Sequence, residues 1–266
     1  MANPVKRVLA LHGYSQNAVV FSKRIGALRK ESNELEFVFI NAPHLLQAAD
    51  LHGEQSQADA EPGSLADMQS NPETAMRGWW KANKERTKVT GLEESLLAIR
   101  EVLKNQRFDG VFGFSQGAAF AAVISSLLER PELYKPFQVD GQPPHPPFEF
   151  CVAISGFRVL DPFCDPFFTP HYSTPTLHVI GKTDVVVINE RSRHLVDVSA
   201  NKRVEEHEGG HFVPSKSKWR KFLAAYMRDS SAPLASPTAI SESATSSGTS
   251  TPNAGMSYSN AVLMKS

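Results

Sequence analysis

A serine hydroxyl is a poor nucleophile near neutral pH. It becomes effective when an imidazole takes its proton and a carboxylate orients that imidazole. The sequence offers such a set in the order Ser115, Asp184, His211. Ser115 lies in Gly113-Phe114-Ser115-Gln116-Gly117, a Gly-x-Ser-x-Gly pattern that sets a serine on a sharp turn between a strand and a helix. The run before it, Phe108 to Phe114, is aromatic and β-branched, as a buried strand should be. The run after it, Ala118 to Leu128, is Ala- and Leu-rich and apolar on nearly every side, which suits a buried helix. Such a helix points free N–H groups at whatever the serine attacks.

The partners have competitors. The chain holds nine histidines. His178 falls inside a strand pattern and reads as core. His44, His52, His145 and His171 fall in loops, and His194 on a helix. His207 belongs to the last strand, and Gly209-Gly210 breaks any helix that would set His207 and His211 on one face as a metal pair. His211 directly follows that strand in a Gly-Gly-His turn, which lets an imidazole reach into a site. For the acid, Asp184 follows the clean strand end Gly181-Lys182-Thr183. Asp161 and Asp165 follow the preceding strand and stay open as alternatives; Asp197 is on a helix. Asp184 also reads as a helix cap, although it lies early for one.

Acyl transfer develops an oxyanion that needs two preset donors. One is the N–H of Gln116, next after the serine. The other should come from the first strand's loop, His12-Gly13-Tyr14-Ser15, with Tyr14 N–H preferred and Ser15 next. Trp79 and Trp80 read either as walls of an apolar substrate pocket or as buried packing.

These residues need elements to place them. Apolar runs at Val5–Leu11, Glu36–Ile40, Phe108–Phe114, Phe150–Gly156, Thr176–Gly181 and Arg203–His207 read as strands. Helical spacing falls at 19–30, 88–105, 118–128, 188–198 and 219–227. Strands alternating with helices predict an α/β fold with a mostly parallel sheet covered on both faces. Ligand chemistry in such sheets sits beyond the carboxyl ends of the strands, where His12-Gly13, Ser115, Asp184 and His211 would converge. His44 to Thr74 has no period and reads as a lid, a pocket rim or a surface insertion.

Of 266 residues, 1–228 form a single domain in this reading. From Asp229 to Ser266, Ser, Thr, Ala and Pro dominate, and a disordered tail is expected. The 28 basic and 28 acidic residues balance, which argues against nucleic acid or an anionic membrane as partner. Cys151 and Cys164 read as thiols in a reducing compartment. Only four apolar residues precede His12-Gly13, too few for a signal-peptide core, so a cytoplasmic protein is expected.

Leu11-His12-Gly13-Tyr14-Ser15-Gln16-Asn17, Gly78-Trp79-Trp80, Gly113 to Ala118, Gly181-Lys182-Thr183-Asp184 and Glu208 to Pro214 together resemble the fungal family of serine hydrolases (FSH type). The resemblance spans about residues 5–228. It implies an α/β-hydrolase fold and a triad of Ser115, Asp184 and His211. It also implies an activity like that of the family's cytosolic esterases or polyketide-releasing thioesterases. Members tend to have proline where this chain has Ile188. The expected reaction is hydrolysis of a small-molecule ester with no cofactor and no metal. Two alternatives remain: release of acyl chains from an acyl-carrier protein, and a non-catalytic binding protein on the same fold.

Overall fold

The computed structural model describes residues 4–47, 50 and 75–239. The chain opens with β1 (Lys6–Leu11), the short helices α1 (Ala18–Arg24) and α2 (Gly26–Arg29), and β2 (Leu35–Ile40). Two-residue strands follow: β3 (His44–Leu45), β4 (Arg77–Gly78), β5 (Lys81–Ala82) and β6 (Val89–Thr90). Then come α3 (Leu92–Asn105), β7 (Gly110–Phe114), α4 (Gln116–Glu129), β8 (Phe150–Ile154) and β9 (Thr176–Gly181). The last elements are α5 (Asn189–Asp197), β10 (Lys202–His207) and α6 (Ser217–Arg228).

Six strands form one sheet in the order β10-β9-β8-β7-β1-β2. Every pairing in it is parallel. β3 pairs with β4, and β5 with β6, as small antiparallel ribbons outside the sheet. The sheet alternates its side chains between two cores, as the period of two requires. Leu9, Leu11, Val111, Cys151 and Ala153 face α3, α4 and α5. Val8, Ala10, Phe112, Phe114, Val152 and Ile154 face α1, α2 and α6. β7 and β8 are buried along their whole length, which explains their unbroken apolar runs.

The chain builds β2 on one side of β1 and then crosses to β7 on the other. That reversal opens a crevice at the carboxyl ends of β1 and β7, the usual ligand position in such sheets. The loop from His12 and the turn at Ser115 both leave from there.

Element boundaries differ in places from the sequence reading. The expected helix 19–30 is two helices, broken at Ile25 (φ −97°, ψ 18°). The expected helix 88–105 starts at Leu92, because Val89–Thr90 pairs into a ribbon and Gly91 takes φ 93°. Residues 229–239, which composition groups with the tail, lie against β10. Arg203 donates to the Leu234 carbonyl at 2.8 Å and Ser236 Oγ to Glu205 at 2.6 Å. Residues 240–266, and 48–49 and 51–74 of the expected lid, lie outside the described residues.

Candidate active site

Ser115 leaves β7 with φ 54° and ψ −119°, a backbone region that ordinary residues avoid at a cost of about 1–3 kcal/mol. The turn is held by Ser115 N–H on the Ile154 carbonyl of β8 at 2.8 Å. It is also held by the Ser115 carbonyl, which accepts from Ala118 and Ala119 of α4. Two glycines make the elbow possible. A Cβ on Gly113 would lie 2.3 Å from the Gly117 carbonyl oxygen, and one on Gly117 would lie 2.2 Å from that of Leu11. A serine at a helix start commonly caps the helix with its own hydroxyl. Ser115 makes no such bond.

The hydroxyl instead meets His211. Ser115 Oγ and His211 Nε2 are 2.9 Å apart, and His211 Nδ1 lies 2.7 Å from Asp184 Oδ2. The His211 ring packs against Phe114 at a centroid distance of 4.8 Å. Three residues spread over 96 positions thus form one continuous hydrogen-bonded relay. Both the imidazole and the carboxylate are shielded, with side-chain exposures of 5% and 1%.

Asp184 is fixed by its own loop. Its Oδ1 accepts from Val186 N–H at 2.9 Å and Val187 N–H at 2.8 Å. Burial alone would raise the pKa of this carboxyl. The bond and charge of His211, the Val187 N–H and the nearby Ser155 hydroxyl outweigh burial and hold it below the ordinary value. The loops after β9 and β10 are stitched together by Lys182 N–H to the His207 carbonyl and Thr183 N–H to the Gly209 carbonyl. His207 Nδ1 accepts from Gly209 N–H at 3.2 Å, so that ring braces the turn before His211. The competing acids are engaged elsewhere. Asp161 accepts from Phe163 and Val89 N–H groups, and Asp165 pairs with Arg158.

Gly13 lies against Ser115: a Cβ there would come within 3.3 Å of Ser115 Cβ. Ala42 N–H donates to His12 Nε2 at 3.0 Å, so the proton of this imidazole is on Nδ1. Nδ1 then donates to the Gly13 carbonyl at 2.7 Å. Burial pushes the His12 pKa down to about 4, which keeps the ring neutral. In a trans peptide the carbonyl and the next N–H point in opposite directions. Pinning the Gly13 carbonyl therefore also fixes the direction of Tyr14 N–H. Among the described residues no protein acceptor takes the N–H of Tyr14 or of Gln116.

Trp79 and Trp80 depart from the pocket-wall expectation. Their rings are 1% and 2% exposed and sit in the core, with Trp79 stacked on Phe120 at 4.7 Å. Their role near Ser115 is carried by polar atoms. Trp79 N–H donates to Gln116 Oε1 at 2.8 Å, Gln116 Nε2 donates to the Trp80 carbonyl at 2.9 Å, and Trp79 Nε1 donates to the His12 carbonyl at 2.9 Å. One tryptophan thus ties both loops that carry the expected donors.

Two neighbours have parts in the site that the sequence pattern does not specify. His12-Gly13 reads as part of the loop that supplies an oxyanion donor, but the brace made by the His12 ring depends on Ala42. Ser155 reads in the sequence only as part of a strand's end, although it follows β8 just as Ser115 follows β7. Ser155 Oγ is buried with no hydrogen bond of good geometry, yet it lies close enough to Asp184 to help lower its pKa.

The profile of the family described as Serine hydrolase (FSH1) matches residues 1–223. The chain belongs to the serine hydrolase (FSH1) family. Among relatives of this family member, Esterase OVCA2 of Danio rerio is 33% identical over 234 residues, covering 84% of this chain and 96% of that one. A Schizosaccharomyces pombe protein named dihydrofolate reductase is 34% identical over 246 residues, covering 90% of this chain but only 50% of that one. Acyl-protein thioesterase 2 of Zea mays superposes with a TM-score of 0.54 at 18% identity, covering 85% of this chain and 95% of that one. The α/β-hydrolase fold implied by the sequence motifs is the fold observed.

Proposed function

We propose that this serine hydrolase cleaves small-molecule carboxylic esters with Ser115 as nucleophile, His211 as general base and acid, and Asp184 as the group that orients His211. Ser115 Oγ attacks the acyl carbon while its proton passes to His211 Nε2. The carbonyl electron pair moves onto oxygen, where the N–H groups of Gln116 and Tyr14 receive it. The tetrahedral species collapses, the ester C–O bond breaks, and Nε2 returns the proton to the departing alcohol. Water then attacks the acyl-enzyme, gives a proton to Nε2 and releases the acid, restoring the serine.

The observation that carries this reading is the unbroken relay Ser115–His211–Asp184 at 2.9 and 2.7 Å. It agrees with the esterase names of relatives that this chain matches over most of their length. The reductase name in fission yeast belongs to a protein half of which lies outside the match. A thioester on an acyl-carrier protein is the second substrate the same machinery would open, and dependence on the carrier separates the two. Cytoplasmic residence is part of the proposal, supported by the two buried free thiols Cys151 and Cys164.

A p-nitrophenyl ester series of increasing acyl length tests the reaction. The protein should release p-nitrophenolate, and Ser115→Ala should lower kcat/KM by about 10³-fold or more. Turnover that survives in Ser115→Ala would remove Ser115 from the mechanism.

A further inference from the structure

The equal numbers of acidic and basic residues are unevenly placed. The helices over one face of the sheet, α1, α2 and α6, hold seven Lys or Arg residues and no Asp or Glu: two cations in α1, one in α2 and four in α6. The helices over the other face, α3, α4 and α5, hold six acids against four Lys or Arg. Salt at physiological strength screens a charge within about 8 Å. The whole sheet separates the two layers, so a flat partner meets the charge of one layer and not the sum over the chain.

The excess is plainest on α6. Lys218, Arg220 and Lys221 stand in its first turns, where the helix dipole disfavours cations and no acid offsets them. Arg220 pairs with Glu31 at 2.9 Å and Arg228 with Glu34 at 3.1 Å, which seats α6 beside the residues that follow α2. Lys218 and Lys221 are exposed and have no carboxylate partner among the described residues.

Apolar side chains border this layer. Seven large ones are exposed among the described residues. Val5 precedes β1. The other six, Val19, Leu45, Leu160, Val185, Ile188 and Phe212, lie in or just after the loops that leave the carboxyl ends of the strands, the end at which Ser115 stands. Val185 is 84% exposed beside Asp184, and Phe212 is 47% exposed beside His211. The Phe212 ring meets His207 at 5.0 Å, and His207 meets Trp219 of α6 at 5.8 Å. On α1, Val19 and Lys23 share a face four residues apart. The apolar rim therefore runs into the basic layer.

Cations alone suit any polyanion. Cations bordering exposed aliphatic and aromatic side chains suit a surface whose charged headgroups cover an apolar interior. We propose that the α1–α2–α6 layer and its rim dock on an anionic phospholipid bilayer, with the strand end that carries Ser115 turned toward the lipid.

Sedimentation with phosphatidylcholine vesicles, with and without phosphatidylserine, tests it on the full chain. Partitioning should be about tenfold or more stronger onto the vesicles that contain phosphatidylserine, and added salt should remove the difference. One lysine near such a surface is worth about fivefold in affinity. The double variant Lys218→Gln/Lys221→Gln should therefore partition about tenfold or more weakly, whereas Lys104→Gln, on α3 of the other layer, should partition as the wild type does. Val185→Trp should add an indole emission that brominated lipids quench in the bound state. Ser115→Ala should bind vesicles as the wild type does, so a failure here leaves the nucleophile standing. Equal partitioning onto the two kinds of vesicle at low salt overturns the proposal. So does a loss in Lys104→Gln as large per lysine as that on α6, or a bound Val185→Trp chain whose added emission brominated lipids leave unchanged. Binding of a DNA duplex or of polyglutamate at a salt concentration that frees the vesicles would also overturn it, assigning the layer to a nucleic acid or an acidic protein.

Discussion

Two adjacent strands of the sheet end in the same way, and only one ends in a serine that meets an imidazole. β7 finishes at Phe114 and β8 at Ile154, residues paired in register. Each is followed by a serine with positive φ, 54° at Ser115 and 49° at Ser155. Each serine sends its N–H to the neighbouring strand, Ser115 to the Ile154 carbonyl and Ser155 to the Val179 carbonyl, both at 2.8 Å. Each is buried, at 4% and 1% exposure. The difference lies in what surrounds the two turns. Ser115 opens a fourteen-residue helix and faces an imidazole. Ser155 opens the loop of Gly156 and Phe157 and faces a carboxylate. A carboxylate already satisfied by His211 is a weak base for a serine proton, and no helix start stands behind Ser155 to receive an oxyanion. Backbone strain at a strand end is thus common to both turns, and the imidazole together with the helix N-terminus separates them.

Substitutions can break this contrast. The largest effect is expected at the relay. Asp184→Asn should lower kcat by about 10⁴-fold with the fold intact, because an amide leaves the imidazole in the wrong tautomer; steady-state kinetics beside circular dichroism would show it. A smaller loss is expected at the brace that only the Ser115 turn possesses. His12→Leu frees the Gly13 carbonyl and so misdirects Tyr14 N–H, which should reduce kcat by roughly 10–10²-fold with little change in KM. Ser155→Ala comes next. It removes a hydroxyl that helps hold the Asp184 carboxylate charged, so kcat/KM should fall by only about two- to tenfold. A loss as large as that of Ser115→Ala would erase the distinction between the two turns.

The smallest effect is one of stability. His12 titrates near 4 in the folded chain and near 6.5 when exposed. Below about pH 6.5 the unfolded chain gains a proton that the folded chain refuses, so stability falls as pH drops toward 4. Denaturant unfolding at pH 7 and pH 5 should show the wild type losing about 1–2 kcal/mol more than His12→Leu over that interval.

The sequence carried the relay because each member sits where a strand pattern stops, and strand patterns are legible in apolar runs. It carried the elbow because glycines at 113 and 117 have a steric reason that no other residue satisfies. The bracing was harder to read. His12 looks like any turn residue until Ala42, thirty positions away, fixes its tautomer. Trp79 and Trp80 read as pocket walls or as buried packing, because tryptophan suits both. Their part in the site runs through backbone and indole N–H groups, which no residue pattern reveals. The β5–β6 ribbon escaped for a different reason: its strands are two residues long and show no period.

Labelling with a fluorophosphonate probe, followed by peptide mass spectrometry, tests the central assignment most directly. The reagent transfers its phosphonyl group to a serine activated by a base, and chymotryptic cleavage after Phe120 and Phe150 puts Ser115 and Ser155 in separate peptides. The account predicts one adduct per chain, on Ser115, absent from Ser115→Ala and retained in Ser155→Ala. An adduct on Ser155, or an intact protein that takes no label, would contradict it.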